Sequence, residues 1–124
     1  MRALALLVLV AFAACNAEKS PPADAAHPGQ VVFKQQCGLC HTVDGSRSTG
    51  PSLVGVIGRP AASLAGFPYT KAMRESGLTW DAATLDAFLA NPTAKLPGSM
   101  MVTGVPDAAQ RAAVIGYLQT LKAQ

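Results

Sequence analysis

The residues of this chain best placed to do chemistry together are Cys37, Cys40 and His41. They stand in the run Cys37-Gly38-Leu39-Cys40-His41. Two thiols three residues apart fall on one helical turn, and a histidine follows the second directly. This C-x-x-C-H spacing is the attachment pattern of a c-type haem. The thiols reach the two vinyl groups, and the histidine is held under the iron as its proximal ligand. Other chemistries compete for the same residues. A structural zinc site needs four ligands, yet the only other histidine is His27. A redox-active dithiol belongs beside a βαβ pattern, which the flanking sequence lacks. A plain disulfide gives His41 no role.

A haem iron has a sixth position to fill or to leave open. His27 lies among prolines and reads as a solvated linker residue. Downstream comes Lys95-Leu96-Pro97-Gly98-Ser99-Met100-Met101, a methionine pair on an irregular stretch. Thioether sulfur is a soft ligand that raises the iron's potential. The alternative is a pair of gap-filling side chains. Given a haem, ligation by one of the two methionines is the better reading.

Three helices are expected to position these groups. Residues 30–40 form the first, with Phe33 and Cys37 four apart. Residues 80–90 form the second, capped by Thr79 and stopped at Asn91-Pro92, with Leu85, Phe88 and Leu89 on one face. Residues 107–122 form the third, capped by Asp107, with Val114, Tyr117, Leu118 and Leu121 on one stripe. Between the first two, residues 42–79 are broken by six glycines and three prolines, leaving room for one helical turn near 70–75. So long a loop is unusual in a small domain, and three short helices bury too little apolar surface alone. A large apolar group at the centre, wrapped by the loops, resolves both difficulties.

The remainder of the chain speaks of export. Residues 3–14 are an unbroken apolar run after Arg2. Twelve residues rise only about 18 Å as a helix, short of a hydrocarbon core of about 30 Å. The run reads as a signal peptide over residues 1–14. Cys15 follows Ala13-Ala14 and is the third, unpaired cysteine. It matches the lipidated cysteine of a bacterial lipoprotein signal, with ordinary cleavage near Ala13 or Ala17 as the alternative. Residues 15–28, rich in proline and alanine, form a lipid-anchored or flexible linker, and residues 29–124 form the domain. The net charge of +3 comes from scattered single residues. No basic face forms, which excludes a nucleic-acid binder.

From about Gly29 to Leu121 the chain resembles the class I c-type cytochromes, including the mitochondrial type. The resemblance rests on CGLCHTV at 37–43, TGPSLVGVIGR at 49–59, GFPYT at 66–70, GLTW at 77–80, FLANP at 88–92 and LPGSMM at 96–101. It implies an all-α cytochrome c fold with three main helices and long loops around one covalent haem c. It implies His41 and Met101 as axial ligands, because the family's methionine lies four residues after the proline of the Pro-Gly pair. It implies that Pro51 accepts the His41 ring N–H through its carbonyl. Arg59, Tyr69, Trp80 and Ser99 would hold the haem propionates. Gly29 and Phe33 would meet Val114 and Tyr117 where the first and last helices cross. The chain departs from the mitochondrial pattern at Phe88, Met73, Met100 and Thr103. Its lysine ring is reduced to Lys95.

The expected function is one-electron transfer in an exported setting. The chain is expected to be a carrier, not an enzyme, working in the periplasm, tethered at Cys15 and serving redox partner proteins such as respiratory complexes. It is expected to act as a monomer. The alternative is a haem peroxidase or gas-binding cytochrome with a labile sixth ligand. No distal histidine and arginine pair appears to support it.

Overall fold

The computed structural model describes residues 26–122. The expected signal segment 1–14, Cys15 and the linker up to residue 25 lie outside the described residues. Five α-helices follow one another: α1 (Pro28–Val32), α2 (Lys71–Glu75), α3 (Ala82–Ala90), α4 (Pro92–Lys95) and α5 (Ala108–Thr120). Among the described residues there is no strand, only an antiparallel bridge between Pro60 and Thr79. None of these helices is long and apolar enough to cross a membrane.

The first helix differs from expectation at both ends. It begins at Pro28, where a proline's missing N–H costs nothing in the first turn. His27 caps it, with Nδ1 accepting from the Gly29 N–H at 3.0 Å. The His27 ring also lies 5.7 Å from the Tyr117 ring. His27 is therefore part of the folded domain rather than a solvated linker residue. After Val32 the α pattern widens into a π-helical stretch, Phe33–Cys37, closed by Gly38 N–H donating to Phe33 O at 2.8 Å. The regular helix expected to run to residue 40 thus ends at Cys37 in one wide turn.

α3 starts two residues later than expected. Asp81, not Thr79, caps it, accepting from the Thr84 N–H at 2.7 Å. Thr79 is held in the bridge to Pro60 instead. At the other end Asn91 stops α3 and caps α4, its side chain accepting from the Ala94 N–H. Asp107 caps α5 as its sequence predicts, accepting from Gln110 N–H at 2.8 Å. Thr70 caps α2 in the one helical turn expected there.

The frame is the crossing of α1 with α5. Gly29 makes it close: a Cβ there would sit 1.9 Å from the Ala113 carbonyl oxygen and 2.7 Å from Tyr117 Cβ. Phe33 packs beside Tyr117 with ring centroids 6.0 Å apart. α3 adds Leu85, Phe88 and Leu89 to the core, and Phe88 packs on Trp80 at 5.1 Å. The core does not close on itself. Trp80, Leu85, Phe88, Leu89, Val56, Val114 and Leu118 all face a shared cavity.

Candidate haem-binding site

That cavity measures about 330 Å³, inside the range of roughly 300–1,000 Å³ for cofactor sites. Cys37, Cys40 and His41 line it from one part of the chain, and Met100 and Met101 from another. The π turn and the α1–α5 crossing deliver the first three. Cys37 is buried and Cys40 exposed, and both are free thiols. Burial pushes the Cys37 thiol's pKa above its ordinary value. No disulfide joins the two. Among the described residues no three His, Cys, Asp or Glu side chains converge, so the zinc arrangement lacks its ligand set.

His41 is fixed from behind. Its Nδ1 lies 2.7 Å from the Pro51 carbonyl oxygen. A carbonyl can only accept, so Nδ1 carries the proton and Nε2 keeps its lone pair. Gly50 lets the ring settle there, since a Cβ would stand 2.5 Å from His41 Cε1. The Gly50 N–H donates to Cys40 O at 2.6 Å, and Leu53 N–H to Thr42 O at 2.8 Å. The attachment motif and the segment behind it thus form one bonded unit.

The methionines differ. Met101 is half-buried and packs against the core, whereas Met100 is 63% exposed. The Met101 N–H donates to Ser99 Oγ at 3.2 Å, so Ser99 shapes the turn that presents Met101. Tyr69, Trp80, Ser99 and Arg59 all line the cavity. Trp80 is buried and Tyr69 half-buried.

Arg59 supplies the clearest test of fit. Its guanidinium donates to Ser52 O at 2.8 Å and to Val54 O at 3.2 Å. It is half-buried, and desolvation pushes its pKa below the ordinary value, with Tyr69 opposing. Among the described residues the ion pairs are Lys71 with Glu75 and Arg111 with Asp86, so Arg59 has no carboxylate partner. A half-buried cation facing an apolar cavity suits a planar apolar group that carries its own acidic substituents. The residues present fit a haem.

Two contributors were not singled out from sequence. Gly50 lies in a quoted stretch, but its close approach to His41 leaves no periodic signal. Arg111 donates to Asp86 Oδ1 at 2.8 Å and to the carbonyls of Val105 and Pro106 at 3.0 and 2.7 Å. Its only sequence signal is a lone cation on the last helix.

Comparison with known proteins agrees with the geometry. The family profile described as "Cytochrome c" matches residues 26–122. The c-type cytochrome cy of Rhodobacter capsulatus is 44% identical over 97 residues, which cover 77% of this chain and 49% of that protein. The chain thus spans about half the length of that relative. Cytochrome c2 iso-2 of Magnetospirillum fulvum is 48% identical over 87 residues, 68% of this chain and 91% of that one. Among solved structures, cytochrome cH from Methylobacterium extorquens aligns with a TM-score of 0.70 at 37% identity, covering 75% of this chain and 95% of that one. The chain belongs to the cytochrome c family, as a class I monohaem c-type cytochrome whose single haem c is attached through Cys37 and Cys40.

Proposed function

We propose that this cytochrome is a periplasmic one-electron carrier with His41 and Met101 as its axial ligands. The observation that carries the reading is that both side chains line one apolar cavity, from walls built by different parts of the chain. When bound, haem c supplies the one-electron couple of its iron. The protein's part is to hold that couple still. His41 is oriented by its N–H to Pro51, a contact that also strengthens the opposite nitrogen as a donor. Met101 brings a soft thioether that favours the reduced state. That Arg59, Tyr69, Trp80 and Ser99 all line the cavity supports them as the propionate partners, where Arg59 would gain the counter-charge it otherwise lacks. Two fixed ligands leave no open position for substrate chemistry, which sets a carrier apart from a peroxidase.

The apolar run 3–14 and the cysteine that ends it support export and a lipid tether at Cys15. A linker reaching to about residue 28 would let the domain, a monomer, meet respiratory complexes on the same membrane. The tether raises their effective concentration.

The test is the absorbance spectrum of the holoprotein. The oxidised form is expected to show the weak far-red band of a methionine-ligated haem. The band should vanish in Met101→Ala and persist in Met100→Ala. A high-spin spectrum with ready carbon monoxide binding would overturn the reading in favour of an open iron.

A further inference from the structure

Four arginines lie among the described residues, and three of them are held by the protein itself. Arg59 donates to the Ser52 and Val54 carbonyls, Arg74 to the Tyr69 carbonyl, and Arg111 to Asp86 and two carbonyls. The fourth, the exposed Arg47, makes no hydrogen bond and no ion pair among the described residues. Its guanidinium is placed all the same. It reaches from its own loop to the segment 64–68, where Gly66 (φ +77°) makes room: a Cβ there would stand 3.0 Å from Arg47 Nη2.

Arg47 and Gly66 both line a second cavity, of about 360 Å³, between residues 45–52 and 64–68. Its size suits a small molecule. It is separate from the haem site. Cys37, Cys40, His41, Arg59 and Met101 line the haem cavity, and none of them lines this one. Gly50, Pro51 and Phe67 line both and so form the partition.

The lining sorts into two chemistries. On one side, the Ser48 and Thr49 hydroxyls and the backbone N–H groups of residues 47–49 have no partner among the described residues. On the other, Leu64, Phe67 and Pro68 offer apolar surface. No Asp or Glu lines the cavity, and the nearest carboxylate in sequence, Asp44, already accepts from the Ser46 N–H and hydroxyl. Free donors and one uncompensated cation beside apolar surface are the complement of an organic anion. The charge count narrows it further. One guanidinium neutralises one negative charge, and its fork matches the two oxygens of a carboxylate. A phosphate dianion would keep a charge unpaired beside apolar surface, which is costly.

We propose that this second cavity binds a small organic monocarboxylate, its carboxylate on Arg47, Ser48 and Thr49 and its apolar body against Leu64, Phe67 and Pro68. The site stands apart from the electron-carrier reading, and neither depends on the other.

Benzoate is the probe, titrated into the reduced holoprotein at low salt and followed by amide NMR. The amides of Arg47, Ser48, Thr49 and Gly66 are expected to move along one saturating curve. Benzamide has the same shape without the charge and should bind at least about tenfold more weakly. Acetate, which lacks the apolar body, should also bind about tenfold more weakly. Arg47→Gln should weaken benzoate about tenfold, and Arg47→Lys about threefold, because the ammonium keeps the charge but loses the fork. Lys122→Gln removes an exposed cation outside the cavity and should change the affinity less than about twofold. Equal losses in Arg47→Gln and Lys122→Gln would reduce the effect to diffuse charge attraction and overturn the proposal. So would inorganic phosphate binding more tightly than benzoate, or shifts confined to residues 100–104 on the haem cavity. An absence of saturation by about 0.1 M benzoate would sink it outright.

Discussion

The two walls of the cavity that hold His41 and Met101 are built on different plans. The His41 wall is local. Residues 37–53 bond to one another at His41–Pro51, Gly50–Cys40 and Leu53–Thr42, and the α1–α5 crossing stands behind them. The Met101 wall is a bridge held at its ends. Ser99 N–H donates to Leu96 O and Met101 N–H to Ser99 Oγ at one end. At the other, Val105 N–H donates to Leu89 O at 2.7 Å, and Arg111 holds the Val105 and Pro106 carbonyls. Among the described residues no hydrogen bond holds the backbone of 102–104. A ligand set by its near neighbours moves only when the fold fails. A ligand hung between two anchors can leave while the fold persists. The first wall should therefore fail with global unfolding, and the second before it.

The strongest way to break this contrast is at the helix crossing. Gly29→Ala places a methyl against the Ala113 carbonyl, where the backbone cannot yield. Overpacking of this kind costs about 3 kcal/mol. Denaturant unfolding of the holoprotein should show that loss, with the haem Soret signal and the far-red band disappearing closer together than in the parent. If the band were instead lost in the variant under native conditions, the crossing would be supporting the methionine wall directly.

A smaller and more selective effect is expected from Arg111→Gln. The substitution removes the Asp86 pair and weakens the hold on Val105 and Pro106. Hydrogen bonds from a charged group to such partners are worth about 2 kcal/mol here. The far-red band should disappear at lower denaturant and at lower alkaline pH than in the parent. The His41 wall should be unmoved, read from the NMR shift of the ring Nδ1–H bonded to Pro51. Equal sensitivity of both signals would erase the distinction between the walls.

The same contrast explains what could be read in the sequence. Cys37, Cys40 and His41 are contiguous, so their chemistry is written as a motif. Met101 could be chosen over Met100 only through resemblance, because both line the cavity and spacing alone does not separate them. α5 was legible from Asp107 and its apolar stripe. α1 was harder, because its start depends on His27 acting as a cap and its end on a π turn. Neither leaves a period in the sequence. Thr79 and Asp81 are both good caps, and the choice fell to Asp81 because the bridge to Pro60 holds Thr79 extended. Arg111 escaped notice because its partners are 5, 6 and 25 residues away in sequence.

The finest discrimination between the walls comes from acid. Each has one aspartate whose pKa lies below the ordinary value. Asp44, behind His41, is lowered by the Ser46 hydroxyl and backbone, and Asp81 by the Thr84 N–H that it caps. Both are exposed, so each effect is small. In each case the unfolded chain takes up a proton first as pH falls. The contribution to stability is complete above the unfolded pKa and is lost as pH drops through the folded one. The two should differ in what they protect. Asp81 starts the helix whose far end supplies Leu89 O to Val105, the anchor of the methionine bridge. Asn also caps well, so Asp81→Asn should keep the helix and flatten the acid dependence of the far-red band below about pH 4. Asp44→Asn should leave that dependence as it was. A reversal, with Asp44→Asn flattening the acid limb of the band and Asp81→Asn silent, would place control of the methionine on the histidine side of the haem and overturn the division into two walls.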